Sequence, residues 1–210
     1  MSMMGELTFF LGLQVKTVKD GTFICQTKYT RDLMKKFGME AIRPDITFVV
    51  GVCARFQSTP KESHMTVLKC IIRYVGGTTD LGIWYTKDTD TDLVGFSDSD
   101  WAGDVVDRKS TTGGCFYLGN NLVSMYSKKQ NCVSFSTAES EYVAVGSCCT
   151  QLLWMNQMIE DYGLQIETLT VYCDNINYIA TENHLADIFT KALDFERFSN
   201  LRKSLGLCVL

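Results

Sequence analysis

The chain has 210 residues, 46% of them hydrophobic, enough for one large core or two small ones, which excludes disorder as its default state. A formal net charge of −4 excludes a broadly basic surface, so any grip on nucleic acid has to be local or metal-assisted. Nine cysteines, an odd number with no C-x-x-C pair, argue against a disulfide framework and against zinc, and are expected to act as reduced apolar residues inside a cell.

Gly5 to Val15 reads as a strand, Asp20-Gly21 as a hairpin turn and Thr22 to Gln26 as the returning strand. A helix is expected from Lys28 to Phe37, ended by Gly38. Arg43-Pro44-Asp45 opens a second helix through about Phe56, with Pro44 in the first turn where its missing N–H costs least. A third, from about Lys61 to Val75, carries Met65, Leu68, Ile72 and Val75 inward, and its His64 has no second ligand at metal-binding spacing. The run from Phe9 to Leu13 has no basic region before it, and the apolar run from Ile46 to Ala54 falls far short of the roughly 20 residues that span a bilayer. A soluble protein of the cytoplasm or nucleus, without a membrane partner, is therefore expected. After a strand at Leu81 to Tyr85, the polar run from Lys87 to Asp92 is placed to separate domains.

Beyond it, Val94, Phe96 and Asp98 alternate with Gly95 and Ser97, so Asp98 leaves a strand's end on an apolar face, where a carboxylate is costly unless a charge meets it. Strands follow at Gly114 to Leu118 and Leu122 to Ser127. Ser136-Thr137-Ala138-Glu139 reads as a capping box that starts a helix near Thr137. Its buried stripe runs Glu141, Val145, Cys148, Leu152, Met155, Ile159, Tyr162, and Gly163 ends it. Glu139 lies roughly 200° around the axis from Glu141, so the first is a solvated cap and the second a buried acid. A fourth strand, with Leu169, Val171 and Cys173 on one face, ends at Asp174. Two short helices, His184 to Ala192 and Phe195 to Leu205, complete the chain, the first carrying Asp187.

Three strands, a long helix, another strand and a terminal helix, with acids at Asp98, Glu141, Asp174 and Asp187, is the order found in ribonuclease H-like domains. The motifs S-D-S-D-W-A-G-D, D-R-K-S-T-T-G-G, S-K-K-Q, S-T-A-E-S-E-Y-V-A, Y-C-D-N and L-A-D-I-F-T-K-A-L resemble the ribonuclease H domain of copia-type LTR retrotransposon Pol polyproteins. G-E-L-T-F-F-L-G-L-Q-V, Y-T-R-D-L-M-K-K-F-G-M and R-P-D-I are similar to the end of the same polyprotein's reverse transcriptase and the link that follows it. The resemblance covers nearly the whole chain. It implies an α/β fold: residues 1–42 as a reverse-transcriptase remnant of hairpin plus helix, 43–92 as a helical connection, and 93–210 as a ribonuclease H-like mixed sheet flanked by helices.

The same resemblance implies hydrolysis of the RNA strand of RNA–DNA hybrids. Asp98, Glu141, Asp174 and Asp187 are its catalytic acids, and two Mg²⁺ or Mn²⁺ ions its cofactors, because hard cations select carboxylate oxygen and a pair of ions steadies both the attacking and leaving oxygens. Arg108, Lys109 and Ser110, and Lys128, Lys129 and Gln130, are loop residues placed to meet phosphates. Asp100, Asp104 and Asp107 read as ordinary loop and strand-end acids, and Trp101 as packing on the sheet edge. The expected partners are a hybrid duplex and the rest of the polyprotein.

Two departures from the family's pattern stand out. Between Phe37-Gly38-Met39-Glu40 and Arg43-Pro44-Asp45 the family has a longer connection that this chain lacks, and the polymerase motif Y-x-D-D is absent, so no polymerase activity is expected. Between residues 175 and 181 the family has a crossover helix and another strand, for which this chain has no room. The sequence therefore reads as a truncated copy in which Asp187 lacks its usual support and activity is weak or absent compared with an intact relative. The alternative is an inactive remnant that keeps the fold and binds nucleic acid or protein at most.

Overall fold

The computed structural model describes residues 8–28, 43–87, 89–166, 168–173 and 184–209. Among them lie nine strands and four α-helices in two compact units, residues 1–88 with 206–210, and residues 89–205. The expected helix over 28–37 falls almost wholly outside the described residues, as do Asp174 and the span from 175 to 181.

In the first unit, β1 (Phe9–Phe10), β2 (Leu13–Val18), β3 (Gly21–Cys25), β4 (Leu81–Thr86) and a late strand, Leu207–Val209, form an antiparallel sheet in that order. The strand expected over 5–15 is split, because Leu11 and Gly12 both take positive φ, 47° and 82°, and turn the chain back on itself. The next turn is Lys19-Asp20, one residue earlier than expected, since Val18 pairs with Gly21. Pro44 opens a 3-10 turn, Pro44–Ile46, that runs into α1 (Thr47–Ala54), and α2 spans Glu62–Gly77. Ile71 is the buried residue of α2 and Met65 is exposed, so the inward stripe is rotated from the expected one. Arg43 is clamped to Asp45 by two hydrogen bonds of 2.9 and 2.8 Å and donates to Thr78, while Tyr74 donates to Asp45 at 2.5 Å. Both members of this buried ion pair are thereby satisfied, as burial demands. The late strand was not foreseen; three residues carry too little periodicity to announce themselves.

The second unit holds a four-stranded sheet, ordered β7-β6-β5-β8, of β5 (Leu93–Asp100), β6 (Thr111–Leu118), β7 (Asn121–Lys129) and β8 (Leu169–Tyr172); the late strand of the first unit, Leu207–Val209, is β9. β5 to β7 are antiparallel neighbours, whereas β8, reached from β7 through a long helix, runs parallel to β5. That helix, α3 (Thr137–Asp161), starts where its capping residues require, with Ser136 accepting from the Glu139 amide at 3.1 Å and Glu139 accepting from the Phe135 amide at 2.6 Å.

Helix α3 covers one face of the sheet, where Leu93, Phe116, Cys148, Leu152 and Met155 form the core. Gly95 is what lets it approach, because a Cβ there would stand 2.8 Å from Cys148 Sγ. The buried stripe includes Ser140, Glu141 and Ala144 but neither Val145 nor Tyr162, the latter 83% exposed. Burial pushes the Cys148 thiol up to about 12, as expected of a cysteine acting as an apolar residue.

Against the opposite face lies a 3-10 segment, Leu185–Phe189, followed by α4 (Phe195–Ser204). The expected helix from 184 to 192 is thus one short 3-10 segment. Gly113, the register partner of Asp98, admits it: a Cβ on Gly113 would lie 2.6 Å from Thr190 Cγ2 and 2.7 Å from Phe189 Cβ. Ser127 donates to the Phe189 carbonyl at 2.5 Å, and Tyr117 to the Ser204 carbonyl at 3.3 Å.

Candidate functional site

β5 sets Asp98 on the face against the 3-10 segment, and that segment brings Asp187 and His184 to it. All three side chains are buried, and one ligand atom from each lies within 4.8 Å of the others. Thr190 donates to Asp98 Oδ2, fixing one oxygen of that carboxylate. Lys191 Nζ stands 2.9 Å from Asp187 Oδ1 and 3.4 Å from Asp98 Oδ2, and Arg197 pairs with Asp187 Oδ2. Two buried carboxylates are matched by two cations, the condition under which buried acids stay charged at acceptable cost.

The electrostatics of the two acids diverge. Burial raises Asp98 above the usual carboxylate range, aided by the neighbouring Asp187 charge and opposed by Lys191. Burial would raise Asp187 too, but hydrogen bonds with His184 and Lys191 and the charges of Lys191 and Arg197 hold it below its ordinary value. Lys191, which burial would lower, is raised by Asp98 and Asp187.

Asp187 reaches Asp98 and is paired with Lys191 and Arg197; the span from Asp174 whose shortness was expected to remove its usual support lies outside the described residues. Glu141 is buried at the head of α3 as its spacing requires, and its Oε1 accepts the Ser99 amide at 3.1 Å. It is not a member of the Asp98–His184–Asp187 group. His184 was missed, because a single histidine carries no spacing signal; its three-residue offset from Asp187 was the one clue available.

The phosphate-contact candidates separate. Arg108 and Lys128 are exposed, Arg108 with a positive φ of 58° that turns its loop, and Lys109 is half-buried. Lys129 is engaged with Asp104 at 2.6 Å and Asp107 at 2.8 Å, and its hydrogen bond holds Asp104 down at about 2. Ser110 and Gln130 are not the surface residues expected. Ser110 is buried and accepts the Ala102 amide at 3.1 Å. Gln130, also buried, donates to Thr112 Oγ1 at 2.9 Å and to the Ser140 carbonyl at 3.0 Å while accepting from Ser134. Its Nε2 ties β6 to α3 while its Oε1 holds Ser134. Trp101 donates to the Ser134 carbonyl at 3.1 Å and stays partly exposed.

Fold and site together define a mixed α/β domain with an Asp/Asp/His cluster buried between its central strand and a docked 3-10 segment. The chain is 26% identical to the retrovirus-related Pol polyprotein from transposon RE2 of Arabidopsis thaliana, over 96% of this chain and 19% of that protein. It is 36% identical to the retrovirus-related Pol polyprotein from transposon TNT 1-94 of Nicotiana tabacum, over 75% of this chain and 12% of that protein. An uncharacterized mitochondrial protein of Arabidopsis thaliana is 31% identical over 72% of this chain and 79% of its own length. The chain belongs to the retrovirus-related Pol polyproteins of copia-type transposons, and spans less than a fifth of the length of these Pol relatives. No protein-family model and no solved structure matches it.

Proposed function

We propose that residues 89–205 are a retrotransposon-derived ribonuclease H-like domain that hydrolyses the RNA strand of RNA–DNA hybrids with divalent metal ions. The observation that carries this reading is the meeting of Asp98 and Asp187, which lie at opposite ends of the unit in sequence yet offer buried carboxylate oxygens to one point. The order of elements along this unit, three strands, a long helix, another strand and a terminal helix, matches the order the resemblance implies and supports the reading further.

The donor set fits a cation: carboxylate oxygens converge, and their place is held by an ammonium group. Asp98 and Asp187, with Glu141 and Asp174, would hold two Mg²⁺ or Mn²⁺ ions, which when bound supply an activated water and neutralise charge on the leaving oxygen. The chain's own contributions are positional. Thr190 fixes one oxygen of Asp98, Arg197 fixes one of Asp187, and Glu141 is oriented by the Ser99 amide. Exposed Arg108 and Lys128 supply charge for the hybrid's phosphates.

One observation favours the second reading, an inactive remnant that keeps the fold: Lys191 and Arg197 already neutralise Asp98 and Asp187, and Glu141 stands outside their cluster. Incubation with a hybrid labelled in its RNA strand separates the two. Cleavage that requires Mg²⁺ or Mn²⁺ and disappears in Asp98→Asn and Glu141→Gln is expected. Cleavage that survives Asp98→Asn overturns the assignment, and a folded chain that cuts nothing at saturating Mn²⁺ leaves the remnant.

A further inference from the structure

His184 is the one member of the buried cluster that the hydrolase reading does not use. Its Nδ1 lies 3.7 Å from Asp187 Oδ1, and one of its ring nitrogens stands within 4.8 Å of oxygens from both Asp98 and Asp187. Ligand atoms about 2.0–2.2 Å from a common ion lie about 3–4 Å from one another, so only a small contraction turns this group into a three-ligand set. The imidazole is fully buried. Its backbone is tied into the docked segment, where the Asp187 amide donates to the His184 carbonyl at 3.2 Å.

We infer that His184 is a metal ligand and that, with Asp98 and Asp187, it makes this centre select a transition-metal dication over Mg²⁺. The inference rests on the reading that Asp98 and Asp187 hold metal. Two carboxylates alone suit Mg²⁺, which binds oxygen and keeps most of its water. Adding an imidazole nitrogen changes the preference, because nitrogen is a good donor to Zn²⁺ and Co²⁺, a weaker one that Mn²⁺ still accepts, and a poor one to Mg²⁺. The remaining contacts suit such an ion. Arg197 and Thr190 bind the carboxylate oxygens Asp187 Oδ2 and Asp98 Oδ2, leaving Asp187 Oδ1 and Asp98 Oδ1 to coordinate, with Arg197 and Thr190 orienting the ligands from behind. Lys191 Nζ lies where the ion would enter, so metal binding displaces its ammonium.

The test is Co²⁺, Mn²⁺ and Mg²⁺ titration of the whole chain by calorimetry, with the wild type, His184→Asn and Asp98→Asn compared. Co²⁺ and Mn²⁺ binding tighter than Mg²⁺, with His184→Asn weakening Co²⁺ by about 100-fold and leaving Mg²⁺ unchanged, is the expected result. Circular dichroism reports whether the variant folds. Should it not, pulsed EPR of the Mn²⁺-loaded wild type decides the matter, since a hyperfine coupling to a directly bonded nitrogen supports the inference and its absence overturns it. Ions that bind, are lost in Asp98→Asn and are indifferent to His184→Asn overturn the role of His184 while leaving the carboxylate centre intact. Failure of every ion to bind the folded wild type overturns this inference together with the hydrolase reading on which it rests.

Discussion

Lys191 holds its ammonium 2.9 Å from Oδ1 of Asp187, four residues before it, and is the charge that lets a second carboxylate, Asp98, lie buried alongside. The centre is therefore neutral without any ion, and its stability and its metal affinity are set against each other.

Replacing Lys191 with Met removes one of the two counter-charges and leaves the carboxylates to repel. Urea unfolding in chelator should show a loss of about 1–3 kcal/mol, below the full cost of breaking a buried pair because Arg197 remains. Added Mn²⁺ should restore it. An unchanged midpoint in chelator would mean that Lys191 is not what balances the pair.

Asp104 is one source of acid sensitivity, beside Asp187. Its pKa in the fold, about 2, lies below that of an unfolded Asp, so the stability it contributes is present above about pH 4 and lost as pH falls toward 2. The size expected is about 1–2 kcal/mol, because Lys129 is partly solvated. Asp104→Asn should flatten this limb of a stability–pH curve. Asp98 has the opposite sign: its raised pKa makes its ionisation unfavourable to the fold, a penalty absent at low pH that grows as pH rises through the folded value. Metal-free Asp98→Asn should therefore be at least as stable as wild type at neutral pH, as measured by thermal unfolding.

Gly113→Ala should separate the two halves of the centre. The added methyl meets Thr190 and Phe189 at 2.6 and 2.7 Å, contacts with a docked segment that can move only as a whole. A loss of about 1–3 kcal/mol is expected from overpacking, along with weaker metal binding as Asp187 shifts from Asp98. Calorimetry that finds unaltered metal affinity in a folded Gly113→Ala would show that the segment yields without moving Asp187.

Gln130→Leu should act on stability. The substitution strands Thr112 Oγ1, Ser134 Oγ and the Ser140 carbonyl in a buried setting, for about 2–4 kcal/mol by denaturant titration. Lys128→Ala, by contrast, should leave the midpoint unchanged and weaken hybrid binding in a salt-dependent way, as a phosphate contact does. Equal stability of Gln130→Leu and wild type would return Gln130 to the surface role first expected of it.

The sequence by itself determined the elements around β5 and α3. Alternation from Val94 to Asp98 and the Ser136–Glu139 cap are local devices, readable because strand and cap geometry depend on neighbours in the chain. The opposed fates of Glu139 and Glu141 followed from helical angle alone. Membership of the copia-type family was likewise written in its motifs. What only the tertiary structure decided was contact across sequence. Nothing local states that Gly113 lies beside Asp98, that a 3-10 segment docks there, or that this docking brings His184, Asp187 and Lys191 to one carboxylate. Gln130 shows the same limit, since a polar residue after two lysines reads as a solvated turn until the sheet and α3 close around it. Periodicity reports which face of an element is covered, whereas the identity of what covers it depends on strand order and register, and these are set by the packing of the whole unit.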